Sequence, residues 1–579
     1  MIEKAPWSRL SLILVGLMGV LPFLQWKHYY PITDFYTEWL AVFLGICALL
    51  CHVPRLSEIP LVALVPLPLV ALVWLQFALG MIGYPEQAFM ISLYLLWAAL
   101  VAMLGYALKQ EFGMGKTVGV LAWFILAGGT LSAIAAMMQH YYTPALLASF
   151  VTPATAGTVY GNLAQQNHFA DYTSLAIASL LYLASSRKMP GFLALPLALF
   201  LLFALSLSGS RSAWIFLAAM AFLAFLLHRK EGNRTLLVGA LLLIPAFALM
   251  QVLAHLAIFN GHGTMTSGDR LFVIARDSGI RLYLWREAWL MFLHAPWIGV
   301  GFGQFAWHHF ELGPLYGNPQ MTGLYSNSHD IVLNLLAETG IAGGFVVFGG
   351  IALWVRRLDM KFDIHAWWCF ALLLILALHS LDEYPLWYAQ FLGLFMFLLG
   401  MGEARALRPL PVQGFIALFL VFGIYLSVGL MRDYLDLEGL LYPSYHSGKP
   451  ALKHDVLYES LRNFRKGTLL APYVEFPIAE MMPVDDRNLK RKVELSARAA
   501  RFSPSGMIVY RHAAFLALNG EMNAAKLQIE RAALSDPDLL GQARSLYSEL
   551  AEEAPVKFVP LVEEVDLKLK EHDFAFHHQ

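Results

Sequence analysis

The stretch "NSHDIVLNLLAETG", residues 327–340, sets a histidine between small polar residues at the start of an amphipathic helix. An unperturbed imidazole titrates near neutrality, which suits His329 to take a proton from a hydroxyl. Asp330 and Glu338 are close enough in sequence to tune it. Ser326 or Ser328 is the expected helix cap, and Gly340 the expected stop. The plainer reading is a surface histidine in a helix's first turn. Arg211, in "SLSGSRSAW", is a candidate anion site. Ser208, Gly209 and Ser210 precede a helix whose first N–H groups could join the guanidinium on a phosphate. Its plainer reading is an arginine reaching from a helix mouth to the interface.

Arg281 and Arg286 lie in "IRLYLWREAWLMFLHAPWIGVGFGQF". The apolar residues Leu282, Leu284, Trp285, Ala288, Trp289 and Phe292 point to a helix lying in or against a membrane, with the arginines at headgroup depth. Arg270 and Arg276 lie just upstream. "GVGFG" is not a nucleotide fingerprint, because it follows an amphipathic helix and Pro296 rather than a strand. "YGNLAQQNHFADY" places Gln165, Gln166, Asn167 and His168 at one helix mouth. "HSLDEYPLWY" places Asp382, Glu383, Tyr384 and Tyr388 at another. Each cluster alone reads as interfacial decoration.

The elements that must position these groups are membrane helices. The 579 residues are 58% hydrophobic and 14% charged, with a mean hydropathy of +0.58. Apolar runs of bilayer length recur along the chain. We expect an all-α, polytopic fold with about thirteen spans. They lie near 10–25, 36–52, 59–79, 88–108, 117–138, 168–186, 191–208, 211–228, 235–258, 341–355, 364–381, 385–402 and 411–431. The first apolar stretch lacks a small-residue cleavage site and reads as a retained span.

With a cytoplasmic N-terminus, one set of loops receives fifteen lysines and arginines, from Lys4 to Arg408, and the opposite short loops only Lys27 and Arg211. That asymmetry places the loop of about 259–340 outside the cytoplasm, in the periplasm of a Gram-negative host. Residues 1–431 hold 40 charged residues and the remaining 148 hold 41. The expected division is therefore a transmembrane catalytic domain, 1–431, and a soluble periplasmic helical domain, 432–579. In that domain, "AAFLALNGEMNAAKLQIERAALSDPD" reads as a helix pair. Gly520 is in the turn, Ala524 and Ala525 are at a close contact, and Pro537 follows, as in a tetratricopeptide repeat. Cys47, Cys51 and Cys369 all lie in apolar runs, so no disulfide is expected. No Cys/His spacing resembles a zinc site.

Together, "SGSRSAW", "RLYLWREAW…HAPWIGVGFGQF" and "NSHDIVLNLLAETG" resemble the O-antigen ligase and polymerase (Wzy_C-like) superfamily. "GNLAQQNHFA", "DEYPLWYAQF" and the extracytoplasmic tail are similar to its protein-glycosylating branch, the O-oligosaccharyltransferases of the PglL type. The resemblance implies a GT-C-like membrane enzyme in the bacterial inner membrane. It implies inverting, metal-independent transfer of a preassembled glycan from undecaprenyl pyrophosphate to a Ser or Thr hydroxyl of an exported, pilin-like protein. His329 matches the family's essential histidine, and Arg211 and Arg281 match arginines assigned to the donor pyrophosphate. Gln165 matches a glutamine needed for transfer, with Gln166 beside it as the alternative. Tyr388 matches a tyrosine, with Tyr384 as its alternative. Glu383 and Arg286 are expected to support the site. The expected partners are the lipid-linked oligosaccharide, the acceptor protein and membrane lipid, with no nucleic acid and no cofactor. Two other readings stay open: ligation or polymerisation on a sugar hydroxyl, and transport of a lipid-linked sugar, which would need polar residues at the bilayer midplane.

Overall fold

The computed structural model describes residues 6–141, 148–154, 157–256, 258–259, 261, 265–272, 277–316, 323–358, 361–407, 411–443 and 448–577. These fold almost wholly as helix. Beyond helices and turns, the described residues hold one isolated bridge, Pro60 to Ala406. The chain divides into two compact units. One comprises Met1–Pro68, Tyr94–Ser278 and Val346–Val428; the other comprises Leu69–Leu93, Gly279–Phe345 and Gly429–Gln579.

Eight helices among the described residues are long and apolar enough to cross a bilayer. Shorter apolar helices cover Phe35–Leu50, Gly191–Leu207, Ile364–Ser380 and Ala389–Gly402, where further spans are expected. In the first unit, packing rests on small residues. A Cβ on Gly400 would lie 1.9 Å from the carbonyl oxygen of Ala102, and one on Gly105 2.2 Å from that of Phe397. A Cβ on Gly129 would lie 2.3 Å from Cβ of Ala176. Between membrane helices, where lipid is as apolar as leucine, such backbone approach is a main source of cohesion.

The second unit joins the region 279–345 to the C-terminal helices. The boundary expected at residues 431/432 falls within the helix Gln413–Leu441. Beyond it run His454–Arg462, Ala471–Met481, Leu489–Phe502, Met507–Leu518, Met522–Ser535, Leu540–Glu553 and Pro555–His577, most packing against the next in sequence. Gly520 makes the turn at φ 87°, a conformation that glycine adopts without strain. Ala525 is buried but Ala524 is exposed, so only one of the pair makes the expected close contact. Pro537 opens a short 3₁₀ turn. The core of this tail takes in Phe310 from the helix Phe305–Tyr316. That helix packs on Met522–Ser535, with Glu311 facing Arg531 at 3.7 Å.

The expected helix stop at Gly340 is present as a break within Ile331–Arg356, with φ 62° and ψ −162°. The cap differs from expectation. Asp330, not a serine, accepts from the Leu333 N–H at 2.9 Å, while the Ser328 hydroxyl donates to the Asp330 carbonyl at 2.9 Å. A carboxylate stabilises a helix start better than a hydroxyl because it also meets the helix dipole.

Candidate functional site

The expected site residues fall in both units. Arg281, Arg286 and His329 belong to one; Gln165, Arg211, Glu383 and Tyr388 belong to the other.

His329 stands at φ 54°, the left-handed region that few side chains other than glycine, asparagine and aspartate adopt readily. Its N–H donates to Oδ1 of Asn327 at 3.0 Å, and the N–H of Ser328 donates to Oδ1 of Asn334 at 3.0 Å. Two asparagines and the Asp330 cap thus fix the backbone on both sides of the imidazole. The ring is half-buried and lies edge-on to Tyr325, with centroids 6.5 Å apart. A strained backbone held by its surroundings is a feature of sites where geometry matters.

Below it, the helix is locked to "APWIGVGFG". The N–H groups of Val300 and Gly301 donate to the carbonyls of Ala337 and Glu338, and those of Ile341 and Ala342 donate to Pro296 and Trp297. Glu338 does not serve His329. Its carboxylate accepts from the N–H of Gly303 at 2.9 Å and of Phe305 at 3.3 Å. Gln76 bridges the same clasp, donating to the carbonyls of Ile298 and Glu338 and accepting from Phe302 N–H. The glycines of "GVGFG" thus serve backbone contact.

Arg281 and Arg286 ride on Asp277–His294. Five residues apart, they leave the helix on different sides; Arg281 is half-buried and Arg286 exposed. Leu284, Ala288 and Met291 form the buried side, while Leu282, Trp289 and Leu293 give a second, exposed apolar side. Arg276 lies outside the described residues, and nothing is described of the Arg270 side chain.

In the other unit, Gln165 is the N-cap residue of Gln166–Ser185, and its side-chain Oε1 is buried with no hydrogen-bond partner. The loop before it is held by Gln139, which donates to Thr152 and Gly161 and accepts from the N–H groups of Tyr160 and Gly161. Asn162 ties the same loop to the carbonyls of Leu24 and Phe150. Asn167 donates to Oε1 of buried Glu383 at 3.0 Å. His168 packs edge-on against Tyr388, centroids 4.6 Å apart, and Tyr388 stacks with Tyr384. The two polar clusters read separately from sequence therefore meet. One turn deeper, fully buried Asp171 and His379 form an ion pair joining the same helices.

Arg211 is the N-cap residue of Ser212–Glu231. The Ser212 hydroxyl donates to Oδ2 of Asp382 at 3.1 Å, and Ser210 Oγ is buried without a partner. The Arg211 guanidinium has no ion-pair partner among the described residues. A cation left uncompensated at a helix N-terminus can meet an anionic ligand. Among the described residues no group of three or more His, Cys, Asp or Glu side chains is arranged to hold a metal ion.

Sequence reading passed over Asp171 and His379. Asp171 carried a usable signal, an acid well inside an apolar helix. Attention to helix mouths passed over it.

Family comparisons agree with these motifs. Residues 196–348 match the family "O-Antigen ligase". Residues 159–184 match "Protein glycosylation ligase". Residues 367–538 match "Virulence factor membrane-bound polymerase, C-terminal". The chain is 29% identical over 447 residues to the general O-oligosaccharyltransferase of Acinetobacter baylyi, covering 73% of this chain and 76% of that one. It is 22% identical over 327 residues to the ComP-specific O-oligosaccharyltransferase of the same organism, covering 55% and 57%. With the histidine loop and its arginines inside the ligase match, and the Gln165 helix inside the glycosylation match, the chain is similar to the O-antigen ligase superfamily and, within it, to the protein-glycosylating, PglL-type branch.

Proposed function

We propose that this protein moves a preassembled oligosaccharide from undecaprenyl pyrophosphate to a Ser or Thr hydroxyl of an exported protein such as a pilin. All thirteen apolar segments cross the inner membrane in this reading. The site and a repeat-like helical tail face the periplasm. The observation that carries it is the backbone of His329, held in a left-handed conformation by Asn327 and the Asp330 cap.

In the reaction, the hydroxyl oxygen attacks the anomeric carbon and the bond from that carbon to the pyrophosphate oxygen breaks. His329 takes the hydroxyl proton, and undecaprenyl pyrophosphate leaves with the electron pair. A single displacement inverts the anomeric centre. Arg211 and Arg281 meet the charge that grows on the leaving pyrophosphate, where fixed cations lower the barrier most. Gln165, Glu383 and Tyr388 position the reacting groups, and Arg286 holds the helix at the lipid headgroups.

The names of the matched families favour one second reading, transfer to a sugar hydroxyl in ligation or polymerisation. The test is purified protein with lipid-linked glycan and an acceptor protein, followed by intact mass. Gain of one whole glycan on the acceptor supports the proposal. Elongated lipid-linked glycan with an unchanged acceptor supports the second reading. Glycan moved across a vesicle with neither product supports transport.

A further inference from the structure

Buried Glu287 and His309 form a pair that no part of the transfer chemistry uses. Glu287 is 0% exposed and His309 8%. Nδ1 of His309 lies 2.5 Å from Oε2 of Glu287, and its Nε2 lies 3.3 Å from the carbonyl oxygen of Gly323. With Glu287 ionised both partners are acceptors, and a ring that meets both donates from each nitrogen. A buried imidazolium is tolerated because the carboxylate beside it balances the charge.

Gly323 begins the segment that ends in His329. Its own N–H donates to the carbonyl of Leu534 at 3.4 Å. The His309 ring lies edge-on to Tyr325, centroids 5.7 Å apart, and Tyr325 lies edge-on to His329. One end of the segment is thus held by Asn327 and Asp330, and the other by His309 and the C-terminal helix Met522–Ser535. The titratable or charged groups around the pair are Tyr283 and Arg286 on the Glu287 helix, Tyr325 on the segment, His308 and Glu311 on the His309 helix, and Arg531 facing Glu311.

We propose that Glu287 and His309 are positioning residues for transfer: their ion pair clamps residues 323–328 and so sets where the His329 ring stands. The role in catalysis rests on the function proposed above; the clamp itself does not. Without the carboxylate, the ring loses the partner that fixes its Nδ1 edge, and the Gly323 bond weakens.

The test uses the full chain in detergent or nanodiscs, as wild type, Glu287→Gln and His309→Phe. Hydrogen exchange of residues 323–330 is expected to speed up about tenfold in both variants, the loss of one buried hydrogen bond. For Glu287→Gln, kcat is expected to fall about tenfold with donor KM unchanged. A rise in donor KM with kcat unchanged overturns the positioning role. Unchanged exchange in 323–330 overturns the clamp. If wild type transfers no glycan, the function fails while the exchange result still decides the clamp.

Discussion

Gly299 and Glu338 meet backbone to backbone: a Cβ on Gly299 would lie 2.2 Å from the carbonyl carbon of Glu338. Gly299 also has φ 72°. Alanine there adds left-handed strain to a clash with main chain that cannot move aside as a side chain does. We expect Gly299→Ala to destabilise the chain by about 3 kcal/mol or more, read as lost thermal stability in detergent. Gly349→Ala is the control, since nothing lies within 4 Å of its Cβ. Equal melting of the two variants would sink the clasp argument.

The conformation of His329 dictates how its chemistry must be tested. His329→Ala confounds loss of the ring with strain at φ 54°. Asparagine tolerates that region and keeps a polar side chain. His329→Asn should therefore leave stability within about 0.5 kcal/mol while lowering transfer by about 10²–10⁴-fold, the range for a lost general base. Wild-type transfer by this variant would remove His329 from the mechanism.

Much of this was legible in the sequence because it followed from local rules. Hydropathy and periodicity located the apolar helices, and Gly340 marked a break that a flexible residue permits. The polar residues of each helix mouth were visible as types out of place. The bond from Asn167 to Glu383 was not, because the residues are 216 positions apart and only folding brings them together. Glu338 misled for a related reason. Its closeness to His329 in sequence suggested tuning, yet backbone N–H groups from a distant glycine turn claim its carboxylate. The tail likewise looked separate by charge, while its core closes over Phe310 from the loop.

The Asn167–Glu383 bond gives a third expectation. Both groups are at least partly buried, so truncating either removes a hydrogen bond from a desolvated partner, at about 1–3 kcal/mol. Asn167→Ala and Glu383→Ala should each lower kcat for glycan transfer. The double variant should cost less than the sum, with a coupling of about 1 kcal/mol or more. Strict additivity would mean that the two side chains do not act through their bond.

The tail supplies a prediction in pH. His512 is buried within Met507–Leu518, with Nδ1 2.8 Å from Oγ of Ser496. Burial, opposed in part by Glu521, lowers its pKa from 6.5 to about 4. The unfolded chain then binds a proton that the folded tail does not, between those values. Its contribution to stability is thus fully present above pH 6.5 and is lost as pH falls towards 4. The loss is on the order of 3 kcal/mol across the whole interval. Glu480, whose pKa is raised by burial, acts in the opposite sense and blunts the loss as pH falls through its folded pKa. Hydrogen exchange of Met507–Leu518 in the full chain, corrected for intrinsic rates, should show protection falling from pH 6.5 to 5 in wild type. His512→Gln, which cannot titrate there, should flatten that slope. A slope unchanged by the substitution would place the acid sensitivity of the tail elsewhere.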